Sequence, residues 1–242
     1  MSEGRQFDTP RILFEDNHLL VALKQPNLLT QGDATGDQDM LTLLKAYIKE
    51  KYEKPGDVYL GLVHRMDRPV GGLLCFARTS KAAARLSRQV QEGMLGREYV
   101  LVAQGDAPEY GRLEDALLKD PDTNIVKVVP SYLRKGKRAV LSYRTIVRRD
   151  DLSLMTVQLQ TGRAHQIRVQ LAHAGLPLWG DSRYGGGQRG QQIALWGMRL
   201  SLQHPITGKN MVFLAPPPDA GIWTGFRREL QGLEAIWPQV AP

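Results

Sequence analysis

The chain has 242 residues, with 32 Lys+Arg against 25 Asp+Glu and a formal charge of +7 at pH 7. That length admits one large domain or two small ones, and 42% apolar with 24% charged residues is a globular composition that excludes disorder. One cysteine, Cys75, excludes an internal disulfide and a Cys-rich zinc site and suits a reducing, cytoplasmic compartment. The first residues are polar and mixed in charge, unlike a secretory signal, and no run approaches the ~18 apolar residues of a membrane span. No membrane partner is expected; the basic balance points instead to a polyanion, nucleic acid first.

In chain order, Ile12 to Phe14 and Leu19 to Leu23 read as two strands joined by a Glu-Asp-Asn turn. Leu41, Leu44 and Ile48 recur at helical spacing, so residues 39–52 read as a helix capped by Asp37 or Asp39. The apolar run Leu73 to Ala77 predicts a buried strand. Ser80 is expected to cap a helix through Gln91, with Ala83, Leu86 and Val90 on one face and Gly93 as the stop. Tyr99 to Ala103 and the alternating Leu152 to Leu159 read as strands. Thr161 is expected to begin a helix that Gly175 ends, and Pro216, Pro217 and Pro218 interrupt regular structure near the C-terminus. Strands and helices mix without a strict βαβ rhythm. The expected class is therefore α+β, with β meanders, treated as one domain over residues 1–242.

Several chemistries have no support. No GxGxxG follows a strand, no P-loop is present, and neither HExxH nor a CxxC pair occurs. Ser182 lacks the GxSxG context of a hydrolase nucleophile, and Cys75, inside an apolar strand, reads as a packing residue. Residues 134–149 carry Arg134, Lys135, Lys137, Arg138, Arg144, Arg148 and Arg149 without one acid, and Tyr132 and Tyr143 beside and within the run offer stacking surfaces. The run reads either as a solvated hairpin face or as a phosphate-binding surface.

The segment 61–78 places His64, Arg65, Asp67 and Arg68 between two apolar stretches, with Pro69, Gly71 and Gly72 at the turn. By spacing alone this is as consistent with an ion pair at a turn as with a site. His-Arg-Met-Asp-Arg-Pro-Val-Gly-Gly-Leu-Leu, however, resembles the HRLD signature of the RluA-type pseudouridine synthases. Three further segments follow in that family's order. Ile12 to Lys24 is similar to its opening strand pair, and Arg97 to Val102 resembles its K-x-Y-x-A-x-V strand. Thr161 to Val169 matches TGR-x-HQIR-V, with Gly180-Asp181 and Tyr184-Gly185 continuing it and His204-Pro205 beyond. The resemblance spans roughly residues 11–215. Met66 stands for the usual Leu, Val70-Gly71 for Thr-Ser, Arg97 for Lys, and Lys24-Gln25-Pro26-Asn27 for K-P-x-G.

The resemblance implies a single pseudouridine-synthase domain built on a mixed, largely antiparallel sheet with flanking helices and a central cleft. It implies isomerisation of uridine in structured RNA, ribosomal or transfer RNA, without cofactor or metal, by a monomer. The short segment before Asp8 is expected to leave no room for an S4-like RNA-binding domain. Asp67 would be the catalytic carboxylate, adding to C1′, adding to the base, or removing a sugar proton. Arg163 would pair with Asp67, Tyr99 would contact the uracil, Ile167 would pack on its other face, and Arg65 would occupy the place of the extruded base. Arg134, Lys135, Lys137 and Arg138 would hold phosphates. His64 and His165 would be hydrogen-bond partners rather than bases. The alternatives are a catalytically silent RNA-binding protein on the same fold and a glycoside hydrolase, which needs a second carboxyl ~5–9 Å from Asp67 that no motif supplies.

Overall fold

Twelve residues from Ser80 carry the sequence's sharpest amphipathic stripe, and the computed structural model turns them into a helix that covers a sheet face. The structure describes residues 7–185 and 187–236. In chain order the elements are β1 (Ile12–Glu15), β2 (Leu19–Lys24), α1 (Met40–Lys51), β3 (Gly61–Leu62), β4 (Gly71–Ala77), α2 (Ser80–Gln91) and β5 (Gly96–Gln104). There follow β6 (Tyr110–Lys119), β7 (Val126–Val129), β8 (Lys137–Arg149), β9 (Leu152–Leu159) and α3 (Gln166–His173). The chain closes with β10 (Leu195–Gln203), β11 (Asn210–Leu214), a 3-10 turn (Gly221–Phe226) and α4 (Arg227–Ile236). The class is α+β. No helix among the described residues is long and apolar enough to cross a membrane.

The chain divides into two units, one containing the described residues up to Leu95 with Arg199–Ala215, the other Gly96–Met198 with the segment from Pro216. In the first unit β2 pairs antiparallel with β1 and β4, β3 pairs with β4, and the second half of β10 pairs with β11. Every residue of β4 is buried, as its unbroken apolar run requires of a strand covered on both faces. Cys75 sits there at 0% exposure, among Val21, Leu73, Leu86 and Phe213. Truncating Leu86, fully buried on the inner face of α2, would cost about 2–5 kcal/mol. Thr79, not Ser80, caps α2: its hydroxyl accepts from Ala82 N–H at 3.2 Å. The helix turns accordingly, burying Ala82, Leu86 and Gln89 while Ala83 and Val90 are half-buried. Asp39 caps α1 as expected, accepting from Thr42 N–H at 3.0 Å.

In the second unit β6, β8, β9 and β5 pair antiparallel in that order, and β7 pairs with the free side of β6. Residues 137–149 of the basic run are thus the first arm of the β8–β9 hairpin, and the residues before them belong to a crossover. β7 and β8 flank β6, and residues 130–136 cross over it, held by Leu133 N–H to Pro130 O (3.0 Å) and Gly136 N–H to Leu133 O (2.8 Å). Tyr143 is buried at 9% exposure and offers no stacking face, whereas Tyr132 on the crossover is 84% exposed. The helix expected from Thr161 starts at Gln166. Residues 160 and 161 continue the β8–β9 ladder through N–H bonds to Val140 O, and His165 takes a left-handed φ of 52° before winding begins. Gly175 stops α3 at φ 79°.

Candidate active site

The sequence-predicted residues divide between the units. Asp67 and Arg65 lie in the first, on the loop entering β4; Tyr99, Arg163, Ile167 and the basic residues 134–138 lie in the second.

The Asp67 loop is fastened from the strand β2 and the turn after it. Lys24 ends an otherwise apolar strand and is fully buried. Its ammonium donates to the carbonyls of Val70 (2.6 Å), Arg68 (2.9 Å) and Gln25 (3.2 Å), and Asn27 N–H adds a bond to Arg68 O at 2.8 Å. Burial pushes the Lys24 ammonium down to about 7, against the pull of the Asp67 carboxylate and with the push of Arg68. Thr30 holds the other flank. Its hydroxyl donates to Met66 O at 3.0 Å and accepts from Met66 N–H at 3.2 Å. Asp67 O accepts from Val70 N–H at 3.0 Å, closing the turn around Pro69. His64 is buried, and its Nε2 accepts from Cys75 N–H at 3.3 Å, which ties the loop to β4. Arg68 pairs with Asp37 at 2.7 Å, both about half exposed, and Arg65 is exposed.

In the second unit Tyr99 is buried at 6% exposure on β5 opposite Val157, which on its other side pairs with Tyr143. Ile167 is buried in the first turn of α3. The preceding loop carries Arg163, exposed, and is bound at several points. Arg163 N–H and the Thr161 hydroxyl both reach Gln166 Oε1 at 2.9 Å, Thr161 Oγ1 accepts from Val140 N–H at 2.8 Å, and Arg163 Nε donates to Arg138 O at 3.0 Å. A Cβ on Gly162 would lie 2.6 Å from the guanidinium of Arg97, which is buried, so any larger residue there would have to displace the end of that side chain. His165 shares a 2.7 Å hydrogen bond through Nδ1 with the hydroxyl of Tyr184, and that hydroxyl accepts from Val126 N–H at 3.1 Å. One turn into α3, Arg168 forms a bidentate pair with Asp181, both bonds 2.7 Å, and its guanidinium lies 5.2 Å from the Tyr184 ring centroid. Arg134 and Lys135 sit on the crossover and Lys137 and Arg138 begin β8, all exposed, with Arg138 paired to Glu114 at 2.6 Å.

Lys24, Thr30 and Tyr184 are the residues that sequence reasoning assigned no role. For Lys24 the signal was a cation closing the run LLVAL; for Thr30 nothing in the sequence distinguished it from a loop hydroxyl.

A family model described as RNA pseudouridylate synthase matches residues 18–173, from the start of β2 through the Asp67 loop to the last residue of α3. The chain belongs to that family. It is an RNA pseudouridine synthase, an isomerase that converts uridine in RNA to pseudouridine. Among curated relatives, it is 32% identical over 226 residues to the ribosomal large subunit pseudouridine synthase D of Haemophilus influenzae, covering 86% of this chain and 67% of that protein. It is 35% identical over 213 residues to the uncharacterized RNA pseudouridine synthase YhcT of Bacillus subtilis, covering 86% and 68%. Two human structures share the fold. RNA pseudouridylate synthase domain containing 4 superposes with a TM-score of 0.73 at 18% identity over 91% of this chain and 93% of its own. The corresponding values for domain containing 1 are 0.70, 18%, 99% and 100%.

Proposed function

We propose that this synthase modifies ribosomal RNA, with Asp67 as its catalytic carboxylate. The observation that carries the assignment is the fastening of the Asp67 loop by Lys24, Asn27 and Thr30, which fixes the backbone on both sides of the carboxylate. A buried lysine committed to three carbonyls is a costly way to hold a surface turn and suits a group whose position matters. The reaction breaks the N1–C1′ bond and joins C5 to C1′. The proton leaving C5 is matched by one gained at N1, so substrate and product are isomers. Positive charge builds on the sugar as N1 departs, and a carboxylate already held in place meets it without reorganising.

Tyr99 and Arg163 support Asp67 in this reading, Ile167 packs on the base, and Arg65 fills the place the base leaves. Arg134, Lys135, Lys137 and Arg138 take backbone phosphates, their exposure and the absence of acids from the run favouring a polyanion. The two units work as one catalytic domain, as a monomer in the cytoplasm. Ribosomal RNA is favoured by the names of the large-subunit synthases among the relatives.

The test maps pseudouridine by carbodiimide treatment and primer extension on unmodified transcripts of large-subunit ribosomal RNA. Wild type should produce a discrete stop and Asp67→Asn none. The same stop with Asp67→Asn removes Asp67 from the chemistry. A wild-type stop on transfer RNA transcripts alone removes ribosomal RNA as the substrate.

A further inference from the structure

Strand alternation sorts the second unit's residues onto two faces of its sheet. Tyr99, Val157 and Tyr143 fall on one, together with Asp115 and Ala139, where Gln170 of α3 reaches them at 2.7 and 3.3 Å. The opposite face of β6 and β8 carries Tyr110, Arg112, Glu114 and Ala116 against Arg144, Ser142, Val140 and Arg138. The crossover lies on this second face, since a Cβ on Gly136 would come within 3.0 Å of the Ala116 side chain. The run from Tyr110 to Ala116 is about 20 Å long.

Tyr110, at 60% exposure, ends the strip, and Tyr132, at 84%, stands on the crossover that lies on this face. Arg144 lies over the Tyr110 ring at 5.5 Å. On the strip Arg112 and Arg138 share one carboxylate, Glu114, at 2.7 and 2.6 Å, and Arg134 and Lys135 are exposed on the crossover. Two turns shape the crossover backbone around and after Tyr132, Leu133 N–H to Pro130 O and Gly136 N–H to Leu133 O.

We infer that this face, the one opposite Tyr99 and α3, is an RNA-docking strip in which the arginines take phosphates and Tyr132 stacks on an unpaired base. The inference rests on the proposed assignment of the 134–138 cations to RNA and extends it to the reverse face of the sheet. An exposed ring on a segment with excess cationic side chains matches single-stranded or loop RNA, which offers phosphate and open base faces together. A duplex offers only the phosphates.

The test uses the full chain and a fluorescein-labelled RNA hairpin with an all-uridine loop, alongside a fully paired duplex of the same stem, with binding read by anisotropy across a salt series. Tyr132→Ala should weaken hairpin binding roughly 5- to 100-fold, with no matching loss for the duplex. Tyr132→Phe should restore it, since the ring and not the hydroxyl does the stacking. Arg112→Gln with Arg144→Gln should lower the salt slope by roughly 1.4–1.8 for two lost phosphate contacts, while Lys81→Gln on α2 leaves it unchanged. Equal losses for hairpin and duplex with Tyr132→Ala overturn the stacking. Unchanged binding and slope in both strip variants, or an equal effect from Lys81→Gln, overturn the strip. Neither outcome touches Asp67, whose role is read separately from the pseudouridine stop of Asp67→Asn.

Discussion

Replacing Asp181 by leucine isolates the most deeply buried ion pair among the described residues. The side chains of Arg168 and Asp181 are 6% and 1% exposed, and the carboxylate also accepts Arg183 N–H at 3.1 Å. Removing it leaves a guanidinium in the interior with both bonds of its fork unmade. Breaking a buried ion pair by removing one member costs about 3–5 kcal/mol. Chains of this size lose roughly 2–4 °C of midpoint per kcal/mol, so the expected drop is about 6–20 °C. The contrast with the double variant Arg168→Met/Asp181→Leu is the sharper measurement. With both charges gone and similar volume retained, most of the loss should return. Paired thermal melts and urea midpoints of the wild type, the single and the double variant provide the readout. A single variant within 1 kcal/mol of wild type, or a double variant as unstable as the single, refutes the reasoning.

Three further outcomes follow from the clamps around the two loops. Lys24 has its folded value lowered to about 7 from 10.5, so between those limits the unfolded chain binds the extra proton and stability attributable to this group rises with pH by about 1.4 kcal/mol per unit. The stability difference between Lys24→Met and wild type should therefore move toward wild type by roughly 4 kcal/mol from pH 7 to 10, and a pH-independent difference in urea unfolding would contradict the burial account. Thr30→Val keeps the shape but removes both bonds to Met66; single-turnover rates should fall several-fold or more while RNA affinity, by filter binding, stays within twofold. An unchanged rate would detach this clamp from function. Tyr184→Phe strips the hydroxyl that serves Val126 N–H and His165 Nδ1. It should cost about 2 kcal/mol in urea unfolding, and a cost below 0.5 kcal/mol would mean that other contacts hold His165 in its left-handed conformation.

Legibility followed locality. β2, β4, α1 and α2 could be read because their own periodicity, and for α1 a cap, specifies them, whereas Asp67 stood out only through the resemblance of its segment to the HRLD signature. β6, β7, β10, β11 and α4 escaped, since half-buried strands such as β6 mix polar and apolar residues without a clean period. The late start of α3 was hidden for a different reason. Thr161 and Gln166 look like helix residues until Val140, distant in sequence, claims the first for the β8–β9 ladder. Lys24 was hidden because burial of a lysine depends on carbonyls supplied forty-odd residues away. The basic run was seen, but its crossover depends on which edge of β6 each flank takes, and no local pattern encodes that.

The flanking of β6 by β7 on one side and β8 on the other also dictates the order in which this part of the chain can be completed during synthesis. β7 follows within a few residues and can zip onto β6 as a local hairpin. The remaining edge, Tyr110 to Leu117, stays without its ladder partners until Lys137–Arg144 has left the ribosome. A growing chain halted in residues 120–136 therefore carries a bare strand edge of the kind that recruits stray strands or a holding chaperone.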